Sequence, residues 1–290
     1  MMDEFFHMML PPKRNGIVFV HDLTTRSKLL NSLKNEAHVF LAFSNKHSDP
    51  DLLARHRDLL SEEELEKHKS FKFGRDRDLY LITHGLVRAA LSRYSEVTPD
   101  RWVFQCNPYG RPEIAQSNGN PQLRFSVSRA RGLVVCLIAL SIDVGVDTEN
   151  IRKLDNLTAL SENIFTSLEL SNIRKLPESD QVDEFFTLWT LKEAYIKAKG
   201  MGLSLPLNQF AFYLDAKGST RLWVDPRFQD ISSDWQFATF RPAPLHAMAL
   251  ALHRRNGADL RIRFFETVPD LNSLSFLDLK QYPPVPTGRP

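Results

Sequence analysis

Apolar and polar positions alternate along this chain between two periods, about two residues and about three and a half. The run Val39-Phe40-Leu41-Ala42-Phe43 predicts a buried strand, ended by the polar stretch 44–50. Ser61-Glu62-Glu63-Glu64 has the form of a capping box, in which the hydroxyl takes an orphan amide and Glu64 reaches back to the cap. Leu79, Ile82, Leu86, Ala89 and Ala90 then recur at helical spacing, predicting an amphipathic helix over 76–94. Residues 107–112 and 117–121 are turns by composition. Residues 133–140 are almost unbroken apolar and 141–149 alternate with period two, which predicts a hairpin whose second strand is half buried. A second long helix is predicted over 181–199, stopped by Gly200-Met201-Gly202 and Pro206. Leu222-Trp223-Val224 and the run 248–252 read as strands before a Pro-rich end from Gln281. The first 36 residues, with the turn cluster at 11–16, read as an extension.

Shifting the chain by 105 residues lays 61–71 on 166–176 and 76–94 on 181–199, with Leu81/Phe186, Leu86/Leu191, Ala89/Ala194 and Leu91/Ile196 coinciding. Two similar halves would pack as a pseudo-dimer with a ligand-sized cleft between them. Shared helical periodicity could produce the same coincidence.

Charge narrows the classes of partner. With 37 basic and 35 acidic residues in 290, the formal net charge of +2 gives no bulk field for nucleic acid or an anionic membrane. Neither is expected as a partner. Cys106 and Cys136 lack CxxC spacing, so a disulfide framework or metal knuckle is not expected and a reducing cytoplasm is. The start Met1-Met2-Asp3-Glu4 is acidic where an export signal is basic. The chain has no P-loop, HExxH, GxSxG or GxGxxG pattern.

Candidate chemistry lies on the second predicted strand and helix. Asp147 and Glu149, two apart on a strand, share a face, with Asp143 behind them. Neighbouring carboxylates repel, which favours a proton or a hard cation such as magnesium between them; a solvated strand edge is the plain alternative. Trp189, Glu193 and either Ile196 or Lys197 lie along one face of the helix, where Glu193 and Lys197 could also be an ordinary ion pair. Candidate phosphate binders are Lys67, Lys69, Lys72, Arg75, Arg77, Arg111, Arg129 and Arg131.

An ordered set of motifs resembles the Sfp-type 4′-phosphopantetheinyl transferases, which activate acyl and peptidyl carrier proteins. It comprises Tyr109-Gly110-Arg111-Pro112, Phe125-Ser126-Val127-Ser128, Gly145-Val146-Asp147-Thr148-Glu149, and the run from Trp189 through Lys192-Glu193-Ala194 and Lys197 to Gly200-Met201-Gly202-Leu203. The last follows the family pattern WxxKEAxxKxxGxGL closely, and the resemblance covers residues 39–252. It implies an α+β fold with pseudo-twofold symmetry, each half an antiparallel sheet on a long helix. The expected division is an extension at 1–36, halves at 37–140 and 141–267, and a tail at 268–290. It also implies coenzyme A bound between the halves and transfer of its phosphopantetheine to a serine of an apo carrier protein, releasing 3′,5′-ADP. Asp147, Glu149 and Glu193 would hold Mg²⁺, while Lys192 and Lys197 would lie near the phosphates. Lys67, Arg77, Tyr80, Gly110, Arg111, Pro112 and Ser128 would line the adenosine and 3′-phosphate end. Glu193 is the expected base, with Lys192 and Lys197 the other catalytic residues, and a monomer should suffice. The sequence departs from the family at Arg129-Ala130, where a histidine usually follows the serine; arginine still suits a terminal phosphate, without titrating. Two other readings use the same residues: a binding protein that has lost catalysis, and a magnesium-dependent diphosphate hydrolase.

Overall fold

The offset of 105 residues seen in the sequence is carried into three dimensions, element by element. A computed structural model describes residues 23–115, 122–228, 230–269 and 274–279. The turns expected at 11–16 and 117–121 lie outside them. After helix α1 (Leu23–Ser32), the first half runs β1 (Glu36–Phe43), α2 (Pro50–Asp58), α3 (Glu62–Ser70), α4 (Gly74–Ser92), β2 (Phe104–Cys106), β3 (Pro112–Ile114), β4 (Leu123–Ala130) and β5 (Leu133–Leu140). The second half repeats that order as β6 (Val144–Asn150), α5 (Leu157–Ile164), α6 (Ser167–Lys175), α7 (Glu178–Lys199), β7 (Phe210–Leu214), β8 (Thr220–Val224), β9 (Trp235–Ala243) and β10 (His246–His253). Strands β11 (Arg261–Pro269) and β12 (Leu274–Leu279) complete the described chain.

Both halves weave their strands alike, β1-β5-β4 in one sheet and β6-β10-β9 in the other, each antiparallel. They also start their third-element helices by the same device. The Ser61 hydroxyl accepts from the Glu64 amide while the Glu64 carboxylate accepts from the Ser61 amide, and Thr166 and Glu169 make the same reciprocal pair 105 residues later. A shared cap at a shared offset is not a consequence of helical periodicity, so the repeat is a duplicated unit.

Four layers result. Phe40, Val134, Cys136 and Ile138 face α4 through Ile82, Leu86 and Ala90. Ala247, Ala249 and Ala251 face α7 through Leu191, Ala194 and Tyr195. The opposite faces of the two sheets meet through Val39, Leu41, Val135, Leu137, Val146, Met248 and Leu250. A sheet covered on both sides has no polar face, which is why 133–140 reads as an unbroken apolar run. Among the described residues no helix is long and apolar enough to cross a membrane.

Three expectations are corrected. Residues 133–140 and 144–150 are both strands but do not form a hairpin, since β5 lies between β1 and β4 while β6 pairs with β10. The chain turns at Ser141, whose φ is 55°, and passes from one sheet into the other, so β6 is buried on both faces over most of its length. The division at 267 is crossed by β11, which returns to the first half and pairs parallel with β1, with β12 beside it. Nor does the first half begin at 37: Leu29, Leu30 and Leu33 of the preceding segment enter its core.

Candidate functional site

Gly145 lets α7 sit directly on β6. A side chain there would meet the Ala194 carbonyl oxygen at 1.8 Å, so only glycine permits this approach. The approach brings the α7 face carrying Trp189, Glu193 and Lys197 over the strand positions Asp147 and Glu149.

Asp147 is 5% exposed. Its Oδ1 accepts from the Ser128 hydroxyl at 2.8 Å and from the Lys197 ammonium at 2.7 Å, while its buried Oδ2 has no partner. Glu149, on the same strand face, accepts from Trp189 and faces Arg152 at 3.7 Å. Burial pushes the carboxyls of Glu149 and Glu193 above their ordinary range, and the charge of Asp147 pushes both further. Three carboxyl groups thus share one partly dry site with one ammonium. As these side chains stand, no group of three His, Cys, Asp or Glu among the described residues is spaced to hold a metal ion. The chemistry of the donors nevertheless fits a hard divalent cation: they are all carboxylate oxygens, they repel one another, and one buried oxygen lacks any partner.

Strand β4, from the first half, forms the other wall. Ser126 and Ser128 point toward β6 and accept from the amides of Val146 and Thr148 at 3.1 and 3.3 Å, joining the two sheets along an edge. Arg129, next along β4, points away from them, and its guanidinium lies 5.7 Å from the centres of both the Phe71 and Tyr80 rings. Lys67 lies 6.0 Å from the Phe71 ring and Arg77 donates to the Phe71 carbonyl at 2.9 Å. Burial pushes the Tyr80 phenol up to about 12, so it remains a neutral donor. Lys67, Arg77, Tyr80 and Arg129 are therefore gathered around Phe71, while Ser128 beside them reaches Asp147. Phe71 was not among the candidates, because an aromatic residue just after a helix end reads as packing.

The Gly110-Arg111-Pro112 turn has a different task. Arg111 is held by Glu113 at 2.6 Å and donates to the Ala198 carbonyl at 2.8 Å, and Asn107 donates to the Gly200 carbonyl at 2.8 Å. The first half's hairpin thereby clamps the end of the helix that carries Lys197. Gly110 has φ 85°, a left-handed conformation suited to glycine at the tip of that turn.

Lys192 is the clear correction. It is fully buried, and its ammonium donates to the carbonyls of Leu207 at 2.8 Å and Phe210 at 2.7 Å and pairs with the equally buried Glu169 at 3.0 Å. With its three protons committed, none is left for a phosphate. Glu169 in turn accepts from the amides of Thr166 and Phe212. Lys192 lies about 100° around α7 from Glu193, and its side chain runs into the core beside Glu169, away from Asp147.

The profile of the 4′-phosphopantetheinyl transferase superfamily matches residues 143–251. The 4′-phosphopantetheinyl transferase HetI of Nostoc sp. (strain PCC 7120) is 30% identical over 145 residues, half of this chain and 61% of its own length. The 4′-phosphopantetheinyl transferase Sfp of Bacillus subtilis (strain 168) is 29% identical over 196 residues, 68% of this chain and 83% of Sfp. Another 4′-phosphopantetheinyl transferase of Bacillus subtilis is 30% identical over 159 residues, 55% of this chain and 68% of that protein.

Proposed function

The chain belongs to the 4′-phosphopantetheinyl transferases, and on that premise we propose that it moves the phosphopantetheine group of coenzyme A onto a serine of an apo acyl or peptidyl carrier protein, as a cytoplasmic monomer. The observation that carries this reading is the meeting of Asp147, Glu149, Glu193 and Lys197 from one half with Ser128 from the other.

Asp147, Glu149 and Glu193 are the residues that would hold Mg²⁺, which when bound neutralises pyrophosphate charge. Lys197 supplies a mobile positive charge at the same place. The adenosine and 3′-phosphate end belongs to the group around Phe71, with Lys67, Arg77, Tyr80, Ser128 and Arg129 as its polar members and the Gly110-Arg111-Pro112 turn closing the side of the helix end. In the transfer, a new bond forms between the carrier serine oxygen and the β-phosphorus, and the bond from that phosphorus to the oxygen of the departing 3′,5′-ADP breaks. The serine proton passes to Glu193, whose carboxyl is raised by burial and by Asp147 toward the range where a base works.

The test is chromatographic release of 3′,5′-ADP from coenzyme A. A transferase releases it only when an apo carrier protein is present, and Glu193→Gln lowers the rate by roughly 10²- to 10⁴-fold while coenzyme A still binds. Release without a carrier would instead identify a hydrolase. Coenzyme A binding with no release under any condition would identify a binding protein.

A further inference from the structure

We propose that Lys197 is a built-in stand-in for the divalent cation, and that cation binding expels its ammonium from Asp147 and so delivers it to the phosphates of the substrate. The inference rests on the reading of Asp147, Glu149 and Glu193 as the cation-holding set.

Asp147 has two partners on one oxygen and none on the other. Of the two, Ser128 is fixed, because its hydroxyl also accepts from the Thr148 amide at 3.3 Å and its strand is tied to β6 again at Ser126. Lys197 is the movable one: its side chain is 30% exposed, against 7% for that of Asp147, and its ammonium rides on a flexible four-carbon stem. The surroundings explain why it rests there. Without it, Asp147 and Glu193 would face each other with no cation between them, since Arg152 reaches only the outer carboxylate, Glu149, and a buried unpaired carboxylate is costly.

A divalent cation competes for this same position. Magnesium sits about 2.0–2.1 Å from a carboxylate oxygen and demands its own coordination sphere. An ammonium 2.7 Å from Oδ1 occupies the space that sphere needs. A bound divalent cation would displace the single charge of the ammonium, and the freed lysine would then be available to the phosphates of coenzyme A. Cation binding and lysine release are then one linked event, so each weakens or strengthens the other by the same factor. The resting enzyme holds cations weakly, and a lysine freed only when the cation arrives is not spent on stray anions.

The experiment uses the full chain without coenzyme A, with Mn²⁺ as the probe and free Mn²⁺ followed by electron paramagnetic resonance. Lys197→Met should bind Mn²⁺ about tenfold more tightly than the unsubstituted protein. Lys199→Met, which removes a neighbouring charge paired with Asp230 at 3.1 Å, should change affinity by less than about twofold and so controls for charge alone. A second measurement needs no variant: acetylation of the unsubstituted protein, read by peptide mass spectrometry, should modify Lys197 about fivefold faster with saturating Mn²⁺, with Lys199 unchanged. Unchanged affinity in Lys197→Met, or unchanged labelling of Lys197, would overturn the proposal, the cation then sitting on Oδ2 beside an undisturbed lysine. A different result would overturn the cation site itself: no Mn²⁺ bound by either protein, or Asp147→Asn binding Mn²⁺ as well as the unsubstituted chain.

Discussion

Gly145 and Ala194 are in backbone contact, with the space for a side chain on Gly145 already filled by the Ala194 carbonyl oxygen. This one contact sets the height of α7 over β6, and hence the separation between the helix-borne Glu193 and Lys197 and the strand-borne Asp147 and Glu149. Gly145→Ala must lift the helix. Overpacking of this kind costs about 1–3 kcal/mol, and the displaced helix carries half of the site. The expected result is a lowered melting temperature together with a transfer rate reduced well beyond the loss of folded protein. Full activity at the old melting temperature would show that the helix does not set the site.

The buried Lys192 and Glu169 pair predicts a loss of stability and not of chemistry. Lys192→Met leaves Glu169 charged and fully buried, and should cost about 3–5 kcal/mol in urea unfolding. The remaining folded protein should keep a near-normal turnover rate. Lost turnover at unchanged stability would return Lys192 to the catalytic set.

Arg129 stands where the family usually has histidine, with its guanidinium over Phe71 and Tyr80. An arginine keeps its charge across the neutral range, so coenzyme A affinity should respond less to pH between about 6 and 8 than a histidine at this position would make it. Arg129→His should make affinity fall as pH rises through about 6.5, as imidazolium is lost. Arg129→Ala should weaken binding roughly ten- to a hundredfold, the worth of a charged hydrogen bond. Calorimetry of coenzyme A binding by the three proteins checks both points, and unchanged affinity in Arg129→Ala would remove the residue from the site.

Acid should unfold the protein early. Burial holds His38 and His56 down at about 4, and His47 is lowered by the same cause. Their neutral forms are favoured in the fold, whereas the unfolded chain takes up protons below about 6.5. The stability they provide is therefore full above pH 6.5 and lost as pH falls from 6.5 toward 4, by on the order of 3 kcal/mol for each group held at about 4. Melting temperatures between pH 7.5 and 4.5 should drop steeply across that window. A flat profile would mean these imidazoles are solvated.

Much of the site could be read along the chain because its parts are local. Asp147 and Glu149 are two apart on a strand, Glu193 and Lys197 one turn apart on a helix, and the glycine stop fixes where that helix ends. The repeat showed in the sequence only as apolar coincidences at a shift of 105 residues, which helical periodicity alone can produce; the second cap, at Thr166, decided it. What was not legible depends on distant partners. Lys192 sits beside Glu193 in sequence, but its true neighbour, Glu169, lies 23 residues earlier and meets it only after α6 packs on α7. The run 133–149 misled for a physical reason: two adjacent strands in different sheets show the same alternation as a hairpin, and nothing local distinguishes them. Phe71 joins the proposed nucleotide end through Arg129, from a strand more than fifty residues away.

The central claim is transfer to a carrier protein, and intact-protein mass spectrometry tests it directly. An apo acyl or peptidyl carrier protein incubated with this protein, coenzyme A and Mg²⁺ should gain about 340 Da, the phosphopantetheine increment of the transfer, and should gain nothing when EDTA is present. Several apo carriers left unchanged in mass by enzyme that binds coenzyme A would contradict the account.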